Sequence, residues 1–137
     1  MSKGAVRREA VRHWWKMAEE TLRSARIEYR AGLLHSTINR AYYAVFYATT
    51  AALVERGLHF KKHAGVRSAL HRELIKTGLL PTEMGALYDL LFEDRQHGDY
   101  TALTEFESGY VRERIEGAAT FLNAIRPLVT SLEKKAK

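Results

Sequence analysis

The sequence contains no cysteine, which removes disulfides, thiolate metal ligands and cysteine nucleophiles together. Only two prolines occur, Pro81 and Pro127, so most of the chain is free of the residue that breaks helices most strongly. No window reaches the roughly 18 uninterrupted apolar residues of a membrane span, and no membrane contact is expected. Met1 to Arg12 is polar and basic, without the apolar core and small-residue cleavage site of a secretory signal. With cysteine absent as well, the expected location is the cytoplasm. Neither a GxGxxG or GxxxxGK phosphate loop nor a GxSxG elbow is found.

What remains is a chain of 137 residues, 46% of them hydrophobic, the size and composition of one globular domain spanning 1–137. Its formal net charge of +6 favours anionic partners: nucleic acid, an acidic protein or a nucleotide.

Helical periodicity dominates, and no alternating strand pattern competes with it. A first helix is expected from about Glu9 to Ala31, with Trp14, Ala18, Leu22, Ala25 and Tyr29 as its apolar stripe and Gly32 as its stop. The adjacent Trp14 and Trp15 point in different directions, one to the core and one to a rim or interface. A second helix spans Ser36 to Glu55 and ends at Gly57. After a basic stretch from His59 to His63 comes a third, with Val66, Leu70 and Leu74 on one face. Gly78 and Pro81 separate it from a fourth, for which Thr82 is the expected N-cap. That helix carries Met84, Leu87, Tyr88, Leu91 and Phe92 and is expected to stop near Gly98. Thr104 and Glu107 read as a capping box opening the last helix, with Phe106, Tyr110, Ala118, Phe121, Leu122 and Ile125 on its apolar side. The helix is expected to bend near Pro127. The fold class is therefore all-α: an antiparallel up-and-down bundle of four to five helices.

The second helix carries no charged side chain from Ala41 to Ala48. A helix apolar on every side must be buried on every side. Either its own bundle covers it or a second subunit does, and the expectation is a homodimer.

The densest cluster of chemistry is Glu93 to Tyr100. Arg95 offers a planar fork for phosphate or carboxylate. His97 is a candidate general acid or base, being able to titrate near neutrality. Gly98 is expected to turn the chain so that Asp99 and Tyr100 fold back toward Arg95; the alternative is an Arg95–Asp99 ion pair with Tyr100 packed beneath it. Three other signals read more simply. A basic stripe, Arg8, Arg12, Lys16, Arg23, Arg26 and Arg30 with Glu19 interrupting it, is a solvated helix face before it is an RNA track. His59 and His63 lack the neighbouring Glu of a zinc hydrolase and are separated by two lysines, so neither a metal nor any other cofactor is expected. Asp89, Glu93 and Asp94 are expected on a solvated face or paired with nearby arginines.

Asn39-Arg40-Ala41-Tyr42-Tyr43-Ala44-Val45-Phe46 resembles the signature of HEPN domains, above all the small stand-alone prokaryotic ones. The resemblance continues through His63-Ala64-Gly65-Val66 and Arg95-Gln96-His97-Gly98-Asp99-Tyr100, and covers roughly Trp14 to Phe121. It implies a helical bundle, often a two-fold dimer, with functional arginines near the subunit boundary. Many HEPN proteins are metal-independent ribonucleases, often toxins paired with a nucleotidyltransferase-type antitoxin. In these an Arg is followed after four to six residues by a His, which assists attack of the ribose 2′-hydroxyl while the Arg stabilises charge at phosphorus. Here Tyr100, Thr101 and Ala102 stand where that His belongs, and His97 is too close to Arg95 to replace it. Asp99-Tyr100 instead matches a branch whose nuclease activity is in question. The carried-over motif is therefore Arg95 with Asp99 and Tyr100, alongside Arg40 and Tyr43. The implied function is an interaction module, dimeric and working with a nucleotidyltransferase-type partner or binding nucleotide or RNA. The alternative is a metal-independent ribonuclease with an altered site around Arg95.

Overall fold

The computed structural model describes residues 2–100 and 105–133. Among the described residues there are five α-helices: α1 Lys3–Arg30, α2 Leu34–Glu55, α3 His63–Ala69, α4 Thr82–Tyr100 and α5 Ser108–Ile125. Among the described residues there is no strand. The all-α bundle expected from periodicity is the observed architecture.

Helix α1 begins well before Glu9, because Ser2 caps it by accepting a hydrogen bond from the Ala5 amide at 3.0 Å. Its buried stripe is Val11, Trp15, Ala18, Thr21 and Ala25. Trp15 is thus the core tryptophan, while the partly exposed Trp14 stacks on Tyr47 at 5.7 Å. Gly32, Gly57 and Gly78 all have φ near +80°, the left-handed conformation that ends a helix at least cost in glycine. After Gly32 and Gly57 the next amide reaches back to a carbonyl of the last turn, Leu33 to Glu28 and Leu58 to Leu53. The first closure turns α2 back along α1 after a very short connection, and the second ends α2.

Helix α2 packs against α1, α4 and α5. Ala41, Tyr42, Ala44, Val45, Ala48, Ala51 and Ala52 are fully buried, so the chain's own helices cover most of the surface that seemed to require a second subunit. What stays half-exposed is an aromatic strip, Tyr43, Phe46 and Tyr47.

Three expectations are revised. Helix α4 does not stop at Gly98; it continues to Tyr100. Gly98 is there for close approach, since a β-carbon on it would lie 3.2 Å from Phe106 and 3.3 Å from His35. Thr82 is the first helical residue of α4, and its hydroxyl bonds the Glu83 carboxylate at 3.1 Å. Helix α5 starts at Ser108 with Glu107 at the N-cap position and no side-chain cap, so the capping box is not formed as read; Thr104 lies outside the described residues. The third helix also changes its winding. From Leu70 to Ile75 it is π-helical, with the Lys76 amide bonded to the His71 carbonyl. Past Ile125 the chain tightens into two short 3₁₀ turns, Arg126–Leu128 and Thr130–Leu132, where Pro127 rules out another regular turn.

Because α2 is packed through alanines, overpacking is the sensitive probe of the core. Ala44→Leu is expected to lower the unfolding free energy by about 1–3 kcal/mol, measured by urea denaturation; an unchanged midpoint would place Ala44 outside the core.

Candidate functional site

One turn of α2 divides its aromatic residues between core and surface. The helical repeat sends Tyr42 inward and leaves Asn39, Tyr43, Phe46 and Tyr47 along one half-exposed face. His63, the first residue of α3, crosses that face. Its ring stacks on Phe46 at 4.2 Å and 10°, meets Tyr43 edge-on at 5.5 Å and 88°, and holds the Tyr42 hydroxyl at 2.7 Å through Nδ1.

Arg95 of α4 comes from the other side. Its guanidinium lies 5.4 Å from the Tyr42 ring centre and 5.3 Å from that of Tyr43. Arg40 lies 5.6 Å from the Tyr43 ring and donates from Nη2 to Asn39 Oδ1 at 2.8 Å. Contacts of this kind contribute about 0.5–2 kcal/mol each, depending on desolvation. The structure therefore gathers Arg40, Tyr43 and Arg95 from the sequence candidates and adds His63, Tyr42 and Phe46.

His97 is not part of this cluster. Two residues along an α-helix is about 200° of rotation, and His97 is exposed beside Asp94. Nor does the chain turn at Gly98 to bring Asp99 and Tyr100 back, because all three are helical; the side chains of Asp99 and Tyr100 lie outside the described residues.

The electrostatics follow from burial. Tyr42 is held above the ordinary phenol range, at about 12, by burial first, with the Tyr88 hydroxyl and then Arg95 pulling the other way. His63 is held below the ordinary histidine value, by partial burial first and then by the Arg95 charge. At neutral pH the described side chains of the cluster are two guanidinium cations, a neutral imidazole and a neutral buried phenol, with the Glu28 carboxylate close enough to Arg40 to feel its charge.

A second buried pair ties α4 to α5. Tyr110 donates to Asp94 Oδ2 at 2.6 Å, with Arg114 over the Tyr110 ring at 4.7 Å. Burial raises the Asp94 pKa, opposed by the Tyr110 hydrogen bond. Beyond Phe92 runs an open groove of about 980 Å³ lined by Arg67, His71, Arg72, Ile75 and Lys76. There Asp89 accepts from Arg67 at 2.8 Å and contacts His71 at 3.0 Å. Two members of the basic stripe of α1 have partners: Arg26 pairs with Glu116 at 3.0 Å and Arg12 donates to the Ser131 carbonyl at 2.9 Å. Among the described residues no group of three or more His, Asp or Glu side chains could hold a metal ion, and no helix is long and apolar enough to cross a membrane.

In the sequence His63 stands within the family motif and four residues from His59, far from Arg95. Nothing local signals that juxtaposition, since it joins the start of α3 to α2 and α4. Tyr42 was visible as an aromatic in the motif, but its bond to His63 was not.

The family model for the HEPN domain matches residues 11–128, and the chain belongs to the HEPN family. It is 42% identical to a UPF0332 protein of Thermotoga maritima over 124 residues, covering 90% of this chain and 94% of that one. Two Methanocaldococcus jannaschii proteins, each named "putative toxin", are 28% and 32% identical, over 83% and 69% of this chain and 78% and 70% of theirs.

The His63–Arg95 neighbourhood is open to titration. His63 is expected to titrate below the ordinary value of about 6.5, and Arg95→Met to move its midpoint upward without restoring it fully, because burial is the larger cause. A lowered histidine pKa stabilises the fold above the unfolded value, and that contribution is lost as pH falls through the folded one. Histidine NMR titration reads the midpoint; no change in Arg95→Met would separate the two groups.

Proposed function

We propose that this HEPN protein is an interaction module of the toxin–antitoxin kind, whose working surface is an anion-binding cluster formed by Arg40, Tyr43 and Arg95. The observation that carries this is the placement of two guanidinium groups over the half-exposed ring of Tyr43. Arginine over an aromatic platform serves nucleotides and single-stranded nucleic acid well: the cation meets phosphate while the ring accepts a base. The "putative toxin" names of the two archaeal relatives support the setting. In this reading the module acts in the cytoplasm as a single domain, paired with a nucleotidyltransferase-type partner or binding nucleotide or RNA directly. It forms a homodimer through the remaining aromatic strip of α2. Asp99 and Tyr100 complete the motif as binding or structural residues.

A second reading, a metal-independent ribonuclease, is favoured by one observation: His63 stands beside Arg95 although the motif histidine is missing. The two readings part in a single assay. Purified protein incubated with RNA in EDTA is expected to leave it uncut, while Arg40→Ala and Arg95→Ala each weaken RNA or nucleotide binding by about tenfold. Cleavage that disappears in Arg95→Ala would replace the interaction module with the ribonuclease.

A further inference from the structure

We infer that His63 serves this site as a hydrogen-bond donor to a phosphoryl oxygen, through Nε2–H, and not as a proton acceptor. The inference rests on the anion-binding reading above and names the ligand chemistry it takes.

The argument concerns where one buried proton goes. The Tyr42 hydroxyl and His63 Nδ1 are 2.7 Å apart, so one of them donates. If Nδ1–H donated, the Tyr42 proton would need another acceptor, and Tyr42 is fully buried. The hydroxyl that interacts with it, on Tyr88, is also fully buried, and if Tyr88 accepted the Tyr42 proton its own proton would have no acceptor among the described residues. That arrangement would leave a phenolic proton unsatisfied in the core, which proteins avoid. When Tyr42 donates to Nδ1, its oxygen is left to accept from the neighbouring Tyr88 hydroxyl, and both phenolic protons have an acceptor within reach. A neutral imidazole whose Nδ1 accepts carries its proton on Nε2. Partial burial first, and then the Arg95 charge, oppose a second proton on the ring.

Position follows from packing. Phe46 stacked on one face and Tyr43 at the edge fix the plane of the ring, so the direction of the Nε2–H bond is fixed with it. Arg95 is close enough to act on the ring through its charge, and Arg40 meets the same Tyr43 ring that His63 touches; both arginines carry only donors. A site of N–H donors fits a phosphoryl group, which offers only acceptors. It does not fit proton abstraction from a ribose hydroxyl, because the Nε2 lone pair that a base requires is already protonated.

The phosphoryl group can belong to free phosphate, a nucleotide or an RNA backbone, and the test separates these sources. Long-range ¹H–¹⁵N NMR spectra of the whole protein report the tautomer directly: the Nε2–H form is expected, and an Nδ1–H form would overturn the inference. Tyr42→Phe, which keeps the core ring, is expected to release a mixture of tautomers; an unchanged tautomer would show that Tyr42 does not set it. Inorganic phosphate, AMP and a short single-stranded RNA are then titrated in turn. The probe that shifts Nε2 at the lowest concentration identifies the source. His63→Gln, whose amide N–H replaces Nε2–H, is expected to bind that probe within about threefold of wild type, and His63→Ala about tenfold more weakly. Equal losses in the two variants would overturn the donor role. If the wild-type protein binds none of the three probes, the anion-binding reading itself fails, and the ligand assignment fails with it.

Discussion

The apolarity of α2 is the constraint on which the rest of the structure depends. From Ala41 to Ala48 it carries no charge, and its backbone polar groups are already satisfied within the helix. Such a segment is stable only where other elements remove it from water. Helices α1, α4 and α5 do this from separate sides. Alanine at positions 41, 44, 48, 51 and 52, all fully buried, lets them approach closely. Positive-φ glycines set the lengths of the helices and the tightness of the returns. The face that the helices cover only in part carries large aromatic rings, and the site is built on it.

Tyr42 joins the core to that site. Its ring packs edge-on against Tyr88 and Phe92 inside the bundle, while its hydroxyl reaches His63 at the surface. The position of α3 therefore depends on a residue that also belongs to the core. Arg95 enters from α4 against the same ring. Three elements converge on one phenol, so the charge of Arg95 and the orientation of His63 are set by packing before any ligand arrives. Such preorganisation lowers the entropic cost of binding an anion. Asp94 and Tyr110 anchor the same stretch of α4 from behind, against α5.

Much of the fold was legible because it is periodic. Helix number, the all-α class and the stops at Gly32, Gly57 and Gly78 follow from spacing and from glycine's access to positive φ. Gly98 misled for a physical reason: at that position glycine serves close packing against His35 and Phe106, which sequence cannot distinguish from a turn. The capping-box pattern at Thr104 failed similarly, because Glu107 became the N-cap position instead of its reciprocal partner. Trp14 and Trp15 could not be ordered until the register of α1 was known. Within the site, Arg95, Arg40 and Tyr43 were legible as motif residues. His63 and Tyr42 were not legible as its partners, because their contact depends on how α3 docks across α2. His97 was close to Arg95 in sequence yet is directed elsewhere by the helical repeat.

The central claim is that the α2 aromatic face, with Arg40, Arg95 and His63, is where this protein holds a phosphoryl anion. Anomalous diffraction from crystals soaked in tungstate, a heavy phosphate mimic, tests it most directly. The account predicts a peak bridging Arg95 and His63 Nε2 above the Tyr43 ring. A peak in the groove lined by Arg67, Arg72 and Lys76, with none at Arg95, would contradict it.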